Sequence, residues 1–215
     1  MKLLLSALAL GVAALAGPTQ AGSGDVLVRI ETPLGNIDVA VDPVHAPLTA
    51  ANFLRYVDAK LYDGGRFHRA TRPDDYVPQP ERPPMQIVQA GINPVRRSEG
   101  FPPVPLERTT ATGLKHVSGV ISMARTSAAD SATSDFFICL DDEPALDFGS
   151  KRYEDGQGFA AFGRVTAGMD VVRRIQQQPV NTQADTAAGR QSLMPPVAIA
   201  RIARIQADSK GARQP

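Results

Sequence analysis

The chain has 215 residues, 43% of them hydrophobic and 21% charged, enough apolar material for one sizeable core and too much for a disordered chain. Its 23 Lys and Arg stand against 22 Asp and Glu, a formal net charge of +1, which excludes the broad basic field of a general nucleic-acid binder. The single cysteine, Cys139, cannot close an internal disulfide, and three histidines provide no Cys/His cluster of zinc spacing.

Lys2 is followed by an apolar run from Leu3 to Ala16 and by small residues around Ala21. That is the pattern of a cleavable secretory signal over 1–21, and the run is shorter than the roughly 20 residues of a spanning helix. A second Ala-x-Ala at Ala14-Leu15-Ala16 offers cleavage after Ala16 as an alternative. The expectation is a single exported domain over 22–207, periplasmic or secreted and off the membrane after cleavage. Loss of Lys2 with that segment brings the formal charge to zero, so steering of partners by charge is expected to be weak. The tail 208–215 lacks apolar periodicity and is expected to be disordered.

From Val26 the pattern has period two. Val26, Val28 and Ile30 are followed, after Pro33-Leu34-Gly35-Asn36, by Ile37, Val39 and Val41, a hairpin signature. Thr49 is a candidate cap for a helix over about 49–60, in which Phe53, Leu54, Val57 and Leu61 recur at helical spacing. Strand-like runs follow at Arg66 to Ala70, Gln86 to Gln89, Gly119 to Met123, Phe136 to Leu140, Phe159 to Val165 and Val197 to Ile205. Met169, Val172 and Ile175 predict a second surface helix within 166–178. Eight strands with too few helices to alternate with them point to a mainly β fold, a closed eight-stranded antiparallel barrel capped by two helices. Two Pro-rich stretches, Thr71 to Pro84 and Asn93 to Arg108, read as loops.

The chain lacks a Gly-x-Ser-x-Gly elbow, a phosphate-cradling glycine loop and a His-Glu-x-x-His helix. His45, His68 and His116 have no nucleophile or acid at a spacing that implies a triad, and Cys139 within Phe136 to Leu140 reads as a buried thiol.

Four segments carry more information: Tyr62-Asp63-Gly64-Gly65-Arg66-Phe67-His68-Arg69, Gln86-Ile87-Val88-Gln89-Ala90-Gly91, Gly119 to Ala124, and Ser134-Asp135-Phe136-Phe137-Ile138. In that order they resemble the cyclophilin family of peptidyl-prolyl isomerases, here in a bacterial, exported form. The resemblance extends to Thr32-x-x-Gly35, Ala46-Pro47-x-Thr49-x-x-Asn52-Phe53, Leu146-Asp147 and Phe162-Gly163-Arg164-Val165, and covers about 25–205. It implies a catalytic role for Arg69, with Gln89 orienting it. It further implies a proline pocket floored by Phe137 and lined by Ile87 and Leu146, and a peptide-binding stretch at Ala124 and Arg125. Asp135 and Phe159 stand at the rim, where the family more often has glutamine and histidine. Gln86 and Ala145 replace residues that are commonly aromatic.

The implied activity is rotation about X-Pro bonds in unfolded or newly exported polypeptides, by a monomer with no cofactor, metal or nucleic acid. The alternative is a module that binds proline peptides with little turnover, because Asp135, near Arg69, is placed either to orient the guanidinium or to trap it in an ion pair.

Overall fold

The computed structural model describes residues 22, 24–72, 85–150, 152 and 154–206. The expected signal at 1–21, most of the loop Thr71 to Pro84 and the tail 208–215 lie outside the described residues.

Among the described residues nine strands form one antiparallel sheet: β1 (Val26–Thr32), β2 (Gly35–Val41), β3 (Arg66–Ala70), β4 (Ile87–Gly91), β5 (Val120–Met123), β6 (Phe136–Cys139), β7 (Ala160–Ala167), β8 (Ser192–Ala198) and β9 (Arg201–Arg204). Their order is β8-β3-β4-β6-β5-β7-β2-β1-β9. This corrects the expected closed eight-stranded barrel: the sheet curls but its outermost strands, β8 and β9, do not pair with each other. The run from Val197 to Ile205, read as one strand, is divided between them. Its middle crosses from edge to edge, with the Ile199 amide donating to Gly65 O at 2.8 Å and the Ala200 amide to Glu31 O at 2.8 Å. A chain turning there cannot continue either ladder. The early part of β8 was illegible because Pro195-Pro196 suppresses a strand reading, and prolines are tolerated there because β8 is an edge.

Helix α1 spans Pro47–Asp58, beginning two residues before the predicted Thr49 cap. Proline suits the first helical turn, where its missing N–H would lack a partner anyway. The amides of Leu48 and Thr49 donate to the Glu107 carboxylate, at 3.1 and 2.7 Å, so a remote acid caps this helix. Two single-turn helices, α2 (Thr109–Thr112) and α4 (Ala187–Arg190), were not foreseen, whereas α3 (Met169–Gln176) falls inside its predicted range. Gly168 precedes α3 at a φ of 91°, and a Cβ there would lie 2.3 Å from Asn36 O, so the turn from β7 into α3 needs glycine. Helix α1 packs on β7 and β9, and α3 on β2, β3 and β4.

The main core lies on one face of the sheet. It joins Phe53, Tyr56 and Val57 of α1 to Val28, Ile30, Ile37, Val39, Phe67, Val88, Ile121, Phe136 and Phe162. Strand alternation places a second, smaller apolar cluster on the opposite face: Met85, Ile87, Phe137, Cys139, Leu146 and Phe159. Phe136 and Phe137 divide between the two clusters, as expected for neighbours on a strand. Cys139 is fully buried in the smaller one, where burial pushes its thiol pKa well up.

Candidate active site

The site begins with a break in the alternation of β3. Phe67 pairs with Ala90, but the next partners are Arg69 and Gln89, leaving His68 as the extra residue of a bulge. Without it, Arg69 would share the core face with Phe67. With it, Arg69 turns to the other side while Ala70 returns to the core opposite Val88. Pairing then carries one row across five strands: Ser192 of β8, Arg69 of β3, Gln89 of β4, Phe137 of β6 and Ser122 of β5. Cross-strand partners share a face, so ladder register alone brings a cation, an amide and an aromatic ring together.

A cavity of about 250 Å³ opens on this row. Arg69, Gln89, Ile87, Phe137, Leu146, Ala124, Arg125 and Phe159 all line it, with Met85 and Arg152 added by the structure. Eight of the nine residues singled out from sequence therefore meet at one place. Asp135 is the ninth. It lines an adjoining cavity of about 410 Å³, which shares Gln89, Ala124 and Arg125 with the first and also has Arg97 on its wall. The Asp135 carboxylate lies 3.7 Å from His68 Nε2, and it crowds Gly91, where an added Cβ would come within 2.3 Å of its Oδ1. Burial holds the His68 imidazole pKa below its usual value despite Asp135 and a hydrogen bond with the Arg66 backbone, and the charge of Arg69 acts in the same direction as burial.

The Arg69 guanidinium is gripped by two glutamines. Its Nη1 donates to Gln89 Oε1 at 3.2 Å, while Nε and Nη2 both donate to Gln191 Oε1, at 3.0 and 2.6 Å. The Gln89 contact was expected. Gln191 was not, because it lies 122 residues further along the chain in a stretch without periodicity.

The apolar part has its own supports. Thr71 Oγ1 donates to Met85 O at 2.7 Å and accepts from the Ile87 amide at 3.0 Å, tying the backbone at both residues. Gln86, between them, turns outward: its amide donates to buried Glu143 at 2.6 Å and its side chain to Asp141. Met85 lines the cavity, whereas Gln86 and Ala145 are not among the lining residues. The Phe159 amide donates to Leu146 O at 3.0 Å, and its ring meets Phe137 edge-on with centroids 5.5 Å apart.

The Arg125 side chain is buried, with Nε donating to Gly158 O at 2.7 Å, Nη2 to Asp155 at 2.9 Å, and its Cζ 5.2 Å from the Phe159 ring centroid. It ties Asp155 and Gly158 to the site.

Beneath Phe137 lies a chain that the spacing of the histidines did not reveal. His116 Nδ1 is 2.8 Å from Asp147 Oδ1 and its Nε2 is 2.9 Å from Ser122 Oγ. Its ring is stacked on Phe137 at 6.0 Å and 17°. Burial raises the Asp147 pKa, but hydrogen bonds from His116 outweigh it and hold the carboxyl below its usual range. Ser122 and His116 are 0% and 1% exposed. The arrangement resembles a hydrolytic triad in connectivity, yet its serine cannot meet a substrate.

Comparisons with known proteins agree with this architecture. Residues 27–203 match the family model described as "Cyclophilin type peptidyl-prolyl cis-trans isomerase/CLD". Peptidyl-prolyl cis-trans isomerase A of Dickeya dadantii is 35% identical over 160 residues, covering 74% of this chain and 76% of that protein. A peptidyl-prolyl cis-trans isomerase of Acinetobacter baylyi is 35% identical over 158 residues, with the same coverage. The crystal structure of a cyclophilin type isomerase from Cryptosporidium parvum superposes with a TM-score of 0.65 at 19% identity, over 85% of this chain and 99% of that one. The chain belongs to the cyclophilin-type peptidyl-prolyl cis-trans isomerase family.

Proposed function

We propose that this protein accelerates cis-trans rotation about X-Pro bonds in unfolded polypeptides, with Arg69 as the catalytic donor and Gln89 orienting it. The proline ring occupies the apolar part of the cavity over Phe137, between Ile87, Leu146 and Phe159, while the flanking peptide runs past Ala124 and Arg125 toward Asp135. One observation carries this reading: a guanidinium held by two amide oxygens lies on the wall of a cavity floored by an aromatic ring and flanked by Ile87 and Leu146.

The chemistry needs no more than that. Rotation sacrifices amide resonance against a barrier of about 18–20 kcal/mol and breaks no bond. In the twisted transition state the proline nitrogen regains a localised lone pair. A fixed cationic donor beside it therefore binds that state better than the planar one. Bringing an event of tens of seconds to milliseconds takes roughly 6 kcal/mol, whereas a hydrogen bond to a charged group nets about 1.5–3. The remainder falls to the apolar walls, which hold the ring still while the carbonyl side turns in a desolvated slot.

The apolar run after Lys2 further supports export, and on this reading the enzyme acts as a monomer in the periplasm or outside the cell on newly translocated chains. N-terminal sequencing of the protein recovered from a periplasmic fraction tests the export.

Exchange NMR on a short proline peptide tests the activity. Catalytic amounts of protein are expected to produce cis-trans exchange peaks, and Arg69→Ala to weaken them at least tenfold while the protein stays folded. Peptide signals that shift without exchanging would instead assign a binding module. An unimpaired Arg69→Ala would remove Arg69 from the mechanism.

A further inference from the structure

We infer that Gln191 is a positioning residue for this reaction, orienting Arg69 from the edge of the sheet. This rests on the catalytic reading of Arg69 and adds a residue to it.

A guanidinium on a long side chain samples many rotamers, and a donor must already be aimed when the imide twists. Gln89 constrains Nη1 alone. Gln191 takes the opposite edge, where one amide oxygen accepts from both Nε and Nη2, at 3.0 and 2.6 Å. An oxygen that accepts both donors of a planar fork fixes the position of that edge, and with Gln89 Oε1 on Nη1 the group is held from two sides. The Gln191 backbone is itself tied to β3, because its carbonyl accepts from the Ala70 amide at 2.9 Å. It also closes α4, its amide donating to Ala188 O at 3.2 Å. The lever between the β3 backbone and the guanidinium is therefore short at both ends.

The chemical type matters too. A carboxylate at 191 would grip Arg69 as tightly but neutralise the charge that the imide nitrogen needs. An amide oxygen orients the cation and leaves it a cation.

The test is a mutant cycle on purified full-length protein, with kcat and KM measured on a proline peptide. Gln191→Met removes the acceptor at similar volume, and Gln191→Ala serves the same purpose should the methionine variant not fold. The expected result is a fall in kcat/KM of about tenfold, carried by kcat with KM and melting temperature little changed. In an Arg69→Ala background the same substitution is expected to have no further effect. A residue that merely supported the fold would lower both backgrounds alike, and that outcome overturns the inference. So does a wild-type rate in Gln191→Met when Arg69→Ala alone is impaired. Should Arg69→Ala itself be unimpaired, the catalytic reading fails and the role of Gln191 fails with it.

Discussion

Replacing Phe136 or Phe137 by leucine makes one chemical change at adjacent residues on opposite faces of β6, and the structure assigns it opposite consequences. The Phe136 ring is fully buried and meets Phe53, Tyr62 and Phe67 edge-on at 5.5, 5.5 and 6.1 Å. Such pairs are worth about 0.5–1.5 kcal/mol each, so Phe136→Leu is expected to cost about 2–4 kcal/mol of stability. In a domain of this size that lowers the melting temperature by roughly 4–16 °C. Phe137 meets two rings, His116 at 6.0 Å and Phe159 at 5.5 Å, and its remaining face borders the cavity. Phe137→Leu should therefore cost about 1–2 kcal/mol of stability. It also removes the flat floor from under the proline ring, and kcat/KM is expected to fall by about tenfold or more. Thermal unfolding gives the first quantity, and exchange NMR well below both transitions gives the second. Equal losses of kcat/KM in the two folded variants, or a wild-type rate in Phe137→Leu, would refute the assignment of faces to roles.

Two pH-linked predictions concern groups around the same site. Burial pushes the Glu143 carboxyl above its usual range even though the Gln86 amide donates to it. Stability from the protonated form is thus present at low pH and lost as pH rises through the folded pKa. Glu143→Gln keeps the acceptor and discards the charge. It should raise the melting temperature at neutral pH and leave it unchanged near pH 4, and a lower melting temperature at neutral pH would contradict this account. The depressed His68 imidazole has the opposite sign. The native ring resists a proton that the unfolded chain accepts below about pH 6.5, so its contribution is full above that value and lost as pH falls through the folded pKa. His68→Gln should shrink the drop in melting temperature between pH 7.5 and 5.5, and an undiminished drop counts against it.

Local pattern carried the sequence reading a long way. Alternation and turn residues predicted the hairpin of β1 and β2, and helical spacing located the bodies of α1 and α3. The resemblance selected residues that meet in one cavity although they are spread from Arg69 to Phe159 along the chain. What stayed illegible depends on long-range or irregular backbone. The bulge at His68 cannot be seen in a five-residue run, because a strict alternation would have turned Arg69 inward with Phe67. Closure of the barrel was overestimated because eight strand-like runs say nothing about whether the outer two pair. Glu107 as the cap of α1 and Gln191 as a partner of Arg69 act across 58 and 122 residues respectively. No composition rule marks either one.

The Ser122, His116 and Asp147 chain illustrates how burial decides the meaning of a geometry. Its distances, 2.9 and 2.8 Å, satisfy the hydrogen bonding a nucleophile and its base require. Yet attack on a substrate needs an exposed oxygen, and Ser122 has none of its surface open to solvent. What that chain can do is hold an imidazole flat. With both ring nitrogens engaged, His116 cannot rotate about its own axis, and its parallel stack beneath Phe137 transmits that rigidity to the floor of the cavity. An enzyme that only has to keep one ring still while a bond turns gains from such a floor. Three polar side chains elsewhere associated with cleavage here supply stiffness, and the half-buried Arg69 on the cavity wall retains the electrostatic role.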